Sequence, residues 1–259
     1  MEKLPKRFIE RVSRNLKSYQ AITDAQRKRD VSEADTVTVV KDILADIFGY
    51  DKYTELTSEH AIRGTYCDLA IRVDNKLKFL VEVKAAALDL SDNHLRQALN
   101  YGANQGVEWL VLTNGSDWRF HKVIFGQPVD MEEVARFEIA NISAQRQEDL
   151  QLLFLLAREG IVSDAINTFH QRSQLLNKFN VAQLLLSDNV LAVIRRDLRR
   201  LFPDLKVAVE HVQELLWNDV LKREVLEGEK AKEAQSRIKR AMNKLARARA
   251  AEADGAPAE

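Results

Sequence analysis

The stretch Phe79-Leu80-Val81-Glu82-Val83-Lys84 decides how this chain is interpreted, because it is an apolar strand that carries two charged side chains. Residues two apart in a strand point to the same face, so Glu82 and Lys84 should lie side by side while the apolar residues flanking Glu82 point away. Ionised groups on so apolar a strand are costly unless they are paired, hydrated in a cleft or bound to a metal. The segment is therefore a candidate site as well as a core strand.

A second acid, Asp68, lies on the apolar segment just before this strand. We predict a hairpin here, with strands over 66–73 and 77–85 joined by a tight turn at Asp74-Asn75-Lys76. The hairpin would bring Asp68 close to Glu82, and two carboxylates on neighbouring strands are ligands that a hard cation such as Mg²⁺ accepts. A half-solvated strand face would produce the same Glu-x-Lys pattern, so both interpretations stay open at this point.

Charge is distributed unevenly along the 259 residues. The 39 basic and 39 acidic residues cancel, so net charge favours neither a nucleic-acid nor a membrane partner. The first 30 residues and residues 230–249 are nevertheless rich in bases, and they flank a more acidic middle. The bases near the N-terminus are Lys3, Lys6, Arg7, Arg11, Arg14, Lys17, Arg27, Lys28 and Arg29.

Cysteine and histidine usage excludes two kinds of site. The lone Cys67 cannot form an intramolecular disulfide, and the five histidines show no zinc-type spacing among themselves or with it. The N-terminus begins with charged residues instead of the apolar run of a signal peptide, and no apolar window approaches membrane-spanning length. We expect a soluble protein in a reducing, cytoplasmic setting, with no membrane partner.

The order of predicted elements indicates an α/β core followed by helices. Ser32 is a plausible N-cap, and a mixed sheet with helices on both faces would accommodate the remaining segments. The predicted core elements are helices over 5–20, 32–48 and about 92–103, and further strands over 109–112 and about 119–124. From about residue 145 the pattern is helical, and a last long helix starts near Val207 and continues into the tail.

We divide the chain into four segments. They are a basic N-terminal helix, an α/β domain, a helical region and a basic helical tail with a disordered end, over 1–30, 31–142, 143–228 and 229–259. For the tail, a solvated helix or weak coiled coil is favoured over an arm that binds nucleic acid.

Several segments in this order resemble one family. They are Ser32-Glu33-Ala34-Asp35-Thr36 opening a helix, Asp68, Glu82-Val83-Lys84, Gln97-x-x-x-Tyr101, and Leu112-Thr113-Asn114-Gly115 before a strand with Trp118. Together they resemble the N-terminal nuclease domain of type I restriction enzyme R subunits, within the PD-(D/E)xK nuclease superfamily. The resemblance covers roughly residues 30–125, about one core domain. It implies a restriction-endonuclease-like mixed sheet flanked by helices, here followed by an all-helical region similar to that of stand-alone proteins with this domain.

The resemblance implies a role for each motif residue. Asp68 and Glu82 would bind Mg²⁺, or Mn²⁺ in its place, together with the backbone carbonyl of Val83. Lys84 would orient the attacking water and balance charge. Glu33 would orient water or a second metal, and helix capping is its alternative role.

Two further residues are assigned to the substrate. Gln97 and Tyr101 are four apart on a helix and share a face, so they would reach the same phosphate or the metal site. A core position is the alternative for Tyr101. Cys67 stands where the superfamily often has proline, and we expect it to pack.

The function implied is metal-dependent endonuclease cleavage of DNA, preferably double-stranded, in restriction or phage defence. The resemblance also implies a dimer or higher oligomer and partner restriction or defence subunits. No Gly-x-x-x-x-Gly-Lys-Ser/Thr loop occurs, so the chain is not by itself a translocating restriction subunit. The alternative is a non-cleaving nucleic-acid-binding or structural subunit of a larger complex. RNA or single-stranded DNA also stays open as a substrate, with Trp109 and Trp118 either stacking on bases or lying in the core.

Overall fold

The computed structural model describes residues 3–62, 65–204 and 206–254. The chain divides into two compact units, Met1–His170 and Gln171–Glu259. Each is described by itself below.

The first unit is built around a six-stranded sheet. Its strands lie in space in the order in which they occur along the chain, and every neighbouring pair is antiparallel except β3 with β4. The strands are β1 Leu56–Ile62, β2 Thr65–Val73, β3 Lys76–Val83, β4 Trp109–Thr113, β5 Asp117–Ile124 and β6 Asp130–Glu138. The predicted mixed sheet is confirmed.

Helices cover both faces of this sheet. They are α1 Lys6–Arg29, α2 Glu33–Asp46, α3 Arg96–Gln105, α4 Gln147–Phe154, α5 Arg158–Val162 and α6 Ala165–Leu175, the last of which crosses the boundary of the unit. The larger core lies between the sheet and α1, α2, α4, α5 and the start of α6, where Phe8, Val40 and Leu153 are fully buried. The smaller core lies under α3, with Leu80 and Leu110 fully buried.

The predicted hairpin and the crossover that follows it are both present. Asp74 and Asn75 have φ of 52° and 62°, the left-handed pair that a two-residue hairpin turn requires. The parallel neighbours β3 and β4 need a long connection, and α3 supplies it. The helix ends at Gly106, whose φ of 66° suits a left-handed cap.

Arg11 joins three elements of the larger core. Its guanidinium donates to the two carboxylate oxygens of Glu159, each at 2.8 Å, and to the carbonyls of Ile47 at 2.9 Å and Phe48 at 3.2 Å. Gly49, with φ of 86°, leaves room for this group, because a Cβ there would lie 2.5 Å from the Arg11 Cζ. These contacts join α1, the end of α2 and α5.

The first unit extends beyond the α/β segment expected from the sequence. The stripe Phe8, Val12, Leu16, Tyr19 and Thr23 buries one face of α1, which runs to Arg29 instead of ending near residue 20. The compact units meet at 170/171, whereas the sequence-based segments divide at 30/31, 142/143 and 228/229. The N-terminal helix and the helices that follow the sheet share one core with it.

Two strands were not predicted from the sequence, β1 and β6. Both are edge strands, and both are rich in polar residues that do not alternate clearly with apolar ones. Each forms by pairing with one neighbour, β2 or β5. Tertiary pairing therefore determines these strands more than local β propensity does.

The second unit is helical, as expected, but the single long helix predicted from Val207 into the tail is wrong. Its helices are α7 Lys178–Leu185, α8 Asp188–Leu201, α9 Val209–Leu215, α10 Arg223–Leu226 and α11 Glu229–Asp254, with a π-helical turn at Leu216–Val220. The chain leaves helical geometry at Leu221 and again at Gly228, whose φ is 91°. α11 packs mainly on α7. The end predicted to be disordered begins at Asp254, which is the last residue of α11, and its other residues, 255–259, lie outside the described residues.

No helix in the described ranges combines the length and apolarity needed to cross a membrane.

Candidate active site

The hairpin of β2 and β3 brings Asp68 next to Glu82. Leu69 pairs with Val81, so the next step along these antiparallel strands places the two acids opposite each other. The backbone N–H of Val83 donates to Asp68 Oδ2 at 2.7 Å, which orients that carboxylate. Leu80, two residues before Glu82, lies in the smaller core under α3, so Glu82 projects from the same face of the sheet.

Lys84 lies just past the end of β3 and connects two acids. Its Nζ is 2.8 Å from Glu82 Oε1 and 3.2 Å from Glu33 Oε2. Its backbone N–H donates to the Thr113 carbonyl at 2.8 Å, which continues the pairing of β3 with β4. Four predicted residues, Glu33, Asp68, Glu82 and Lys84, are therefore gathered at one end of the sheet.

The start of α2 explains why Glu33 is available to Lys84. The Ser32 hydroxyl accepts the backbone N–H of Asp35 at 3.2 Å, so Ser32 is the N-cap, as the sequence predicts. The Glu33 side chain is 47% exposed and reaches Lys84 across 51 residues of sequence. Glu33 is therefore an ion-pair partner of Lys84 that stays open to solvent.

Burial and like charges make the acids of this site unusual. Burial raises the pKa of Glu82, which is 8% exposed. The hydrogen bond from Lys84 opposes this rise, and the charges of Asp68 and Glu33 add to it. For Lys84, burial lowers the pKa, but the bonds and charges of Glu82 and Glu33 outweigh burial, so the pKa is raised overall. The cluster therefore holds three carboxylates and one ammonium.

Two carboxylates of this cluster are the groups that could hold a divalent cation. The Asp68 and Glu82 carboxylates are hard oxygen ligands on adjacent strands, and together with Glu33 they exceed the positive charge of Lys84. Across the part of the chain that the structure describes, no group of three His, Cys, Asp or Glu is arranged to hold a metal. A cation here would rest on the Asp68 and Glu82 pair and on further oxygens from backbone, water or substrate.

The turn after β4 supports the segment that follows Lys84. Asn114 donates from Nδ2 to the Leu88 carbonyl at 2.9 Å, and its Oδ1 accepts the N–H groups of Ser116 at 3.1 Å and Asp117 at 2.8 Å. Asn114 is 6% exposed, so these bonds are protected from water. The sequence marked this turn as part of a motif but did not indicate its supporting role, because Leu88 is 26 residues away.

The two predicted phosphate-binding residues occupy different environments. Gln97 is exposed on α3. Tyr101 is buried in the smaller core, and burial raises its pKa, with Arg72 lowering it and Cys67 raising it. Tyr101 thus occupies the core position that was its alternative, and contact of either residue with phosphate stays a prediction.

Cys67 and the two candidate stacking residues are part of the core. The Cys67 thiol donates to the Val81 carbonyl at 3.2 Å, and burial raises its pKa to about 12. Trp109 is 5% exposed, and Trp118 is fully buried and stacks on Phe137. The core interpretation of both tryptophans is confirmed.

Comparison with known proteins finds one family model that matches part of the chain. Residues 40–137 match the model of a family described as Type I restriction enzyme R protein N terminus (HSDR_N). The matched range contains Asp68, Glu82 and Lys84 and begins after Glu33. Searches of curated proteins and of solved structures found no significant match. The family match supports the resemblance noted in the sequence and indicates a restriction-related nuclease role.

Proposed function

We propose, since residues 40–137 match the model of the type I restriction enzyme R protein N terminus, that the chain is a metal-dependent endonuclease that hydrolyses DNA phosphodiester bonds. The observation that carries this proposal is the grouping of Asp68, Glu82 and Lys84 at the end of β3. Restriction or phage defence is the proposed setting, with double-stranded DNA as the substrate.

Lys84 acts as a cation in this proposal. Its raised pKa keeps the ammonium protonated at neutral pH, so it donates hydrogen bonds and does not serve as a general base. Placed beside the reacting phosphate, it stabilises the negative charge that develops as water attacks phosphorus. The Thr113 carbonyl fixes the backbone from which the side chain extends.

Asp68, Glu82 and the Val83 carbonyl would hold Mg²⁺, or Mn²⁺ in its place. When bound, such a cation supplies Lewis acidity at a phosphoryl oxygen. The Val83 N–H keeps Asp68 directed towards this position. Because burial raises the pKa of Glu82 and the charges of Asp68 and Glu33 add to this rise, a bound divalent cation would favour its ionised form.

Glu33 positions the attacking water in this proposal. Its carboxylate is open to solvent and within 3.2 Å of the Lys84 ammonium, so both groups can contact one water molecule.

Two DNA strands need two such sites, and we therefore propose a dimer or higher oligomer, with other restriction subunits as further partners.

The test is cleavage of supercoiled plasmid by the purified protein with Mg²⁺, Mn²⁺ or EDTA. Nicking or linearisation that requires the metal and is lost in Asp68→Ala and Lys84→Ala is the expected result. Lys78→Ala is the matched control, since it removes a lysine within β3 about 20 Å from Lys84. It should cut like the wild type.

Equal cutting by the wild type and the Asp68→Ala variant would contradict the assigned site, since it would point to a contaminating nuclease. A wild type that never cuts above the variants, but binds DNA, would favour the alternative of a non-cleaving subunit of a larger complex.

A further inference from the structure

The last turn of α1 presents three consecutive bases, Arg27, Lys28 and Arg29, at the surface. The helix stops at Asp30, whose φ of 48° reverses the chain into the N-cap of α2. We propose that this basic turn binds the DNA backbone that flanks the scissile phosphate. The proposal rests on the proposed function for its ligand, and it adds a binding surface outside the matched residues 40–137.

Packing places this turn at the same end of the sheet as the carboxylates. A Cβ at Gly115 would lie 3.6 Å from Thr36 Cγ2 and 3.8 Å from Thr23 Cγ2, so α1 and α2 meet over the turn between β4 and β5. Thr36 is less than one helical turn past Glu33, and Arg27 is about one turn past Thr23. The basic turn and Glu33 therefore lie on adjoining helix ends.

The short connection between α1 and α2 limits the distance between the basic turn and Glu33. Glu33 is four positions after Arg29, so their Cα atoms are at most about 14 Å apart. Duplex DNA rises about 3.4 Å per base pair, so this distance corresponds to about four base pairs. A duplex whose scissile phosphate lay at Lys84 would bring neighbouring phosphates within reach of these side chains.

The contacts around this turn engage Lys28 but leave Arg27 and Arg29 available. Lys28 pairs with Asp24 at 2.7 Å, Glu33 pairs with Lys84, and the Ser32 hydroxyl donates to Asp35. Within the described part of the chain, Arg27 and Arg29 form no ion pair. Arginine recognises phosphate with two parallel hydrogen bonds, so these two are suited to the backbone of DNA.

If the three bases served only to stabilise α1, their loss would change stability instead of DNA binding. Cations in the last turn of a helix interact favourably with the carbonyl end of the helix dipole. If this were their whole role, neutralising them would lower thermal stability and leave DNA binding unchanged.

The experiment measures binding of a 30-base-pair duplex in EDTA across a range of salt concentrations. The full-length wild type is compared with R27Q/K28Q/R29Q and with K239Q/R240Q/K244Q, a matched loss of three bases on α11. Each lost phosphate contact should lower the slope of log affinity against log salt by about 0.9, so we expect a decrease of about 2 to 3 for the α1 variant. The α11 variant should keep the wild-type slope.

An unchanged slope in the α1 variant overturns the proposal, and so does an equal loss in the α11 variant. A wild type without salt-dependent binding overturns it as well. Because the measurement needs neither metal nor cleavage, failure of the nuclease proposal would be seen separately in the plasmid assay.

The position of the turn on DNA is tested by attaching iron-EDTA at Lys28→Cys. Cys67 is buried, with its thiol pKa raised to about 12, so the introduced cysteine is the reactive one. Hydroxyl-radical breaks should fall within about ten base pairs, one helical turn, of the Mg²⁺-dependent cut. Breaks unrelated to that cut would overturn the placement beside the scissile phosphate.

Discussion

The two ends of α2 each meet a cationic side chain, and the two sites differ in how fully their charges are satisfied. At the C-terminal end, Arg11 bonds the carbonyls of Ile47 and Phe48 and both oxygens of Glu159. At the N-terminal end, Lys84 shares one ammonium between Glu33 and Glu82, with Asp68 as a third acid. The two sites are about 21 Å apart along the 14 residues of the helix.

This difference separates a structural network from a candidate functional one. For Glu159, burial raises the pKa, but the bond and charge of Arg11 outweigh burial and lower it overall. For Glu82, burial and neighbouring acids prevail over Lys84 and raise the pKa. A balanced network stabilises the fold, whereas an excess of buried like charge costs stability and persists where function needs it.

The largest expected effect is on cleavage by Lys84→Met. Loss of the ammonium should lower the cleavage rate about 10³-fold, or about 4 kcal/mol of transition-state stabilisation. Stability should fall by no more than about 1–2 kcal/mol, because Glu33 stays hydrated and Glu82 can take up a proton. Single-turnover cleavage and urea unfolding measure the two. A stability loss as large as that of the Arg11 variant below would contradict the comparison.

Replacing Arg11 by Met, at the other end of α2, should instead lower stability strongly and leave cleavage nearly unchanged. Arg11→Met leaves Glu159 and two carbonyls without their donor, so the free energy of unfolding should fall by about 3 kcal/mol. Cleavage per folded molecule should stay close to wild type at low temperature. Urea unfolding of the single variants and of Arg11→Met/Glu159→Gln gives the coupling energy, and additive losses would show that the pair does not act as a unit.

A smaller effect is expected for Glu82→Gln in EDTA. Replacing the buried acid removes its repulsion with Asp68, and Lys84 keeps Glu33 as a partner. Unfolding free energy in EDTA should therefore be unchanged or higher by up to about 1 kcal/mol. Glu159→Gln is the matched control and should be less stable than the wild type. Destabilisation by Glu82→Gln would show that this acid stabilises the metal-free fold.

The smallest expected effect is on the pH dependence of stability. The pKa of Glu159 is lowered in the folded protein, so its contribution is present above the unfolded value of about 4.3 and is lost as pH falls through the folded value. Between pH 6 and pH 3, wild type should lose more unfolding free energy than Glu159→Gln. Parallel curves from urea unfolding across this range would contradict the assigned role of the pair.

The sequence predicts the centre of the fold better than its periphery. The hairpin of β2 and β3 could be predicted because apolar alternation and the Asp74-Asn75 turn are local signals. β1 and β6 could not, because their polar residues form strands only through pairing with a neighbour. The break at Gly228 could not be predicted either, because the residues on both sides of it favour helix.

The site shows the same division. Glu82 and Lys84 are neighbours through strand periodicity, and a hairpin was enough to bring Asp68 beside them. The pairing of Lys84 with Glu33 was not visible, because it joins residues far apart in sequence through the docking of α2. The family resemblance placed both Glu33 and Lys84 among the site residues but did not indicate that they pair. The roles of all four residues remain predictions that the cleavage assay tests.

One consequence concerns transplanting this domain into another protein. Gln20 on α1 donates to the carbonyls of Ile139 at 2.8 Å and Ile142 at 2.9 Å, so the N-terminal helix closes the chain just beyond β6. A fragment limited to the family segment, 40–137, would carry three of the four clustered side chains but lack α1, Glu33 and the helices after the sheet. The part to transplant is therefore the whole first unit, Met1–His170, and shorter grafts should aggregate through the sheet face that α1 normally covers.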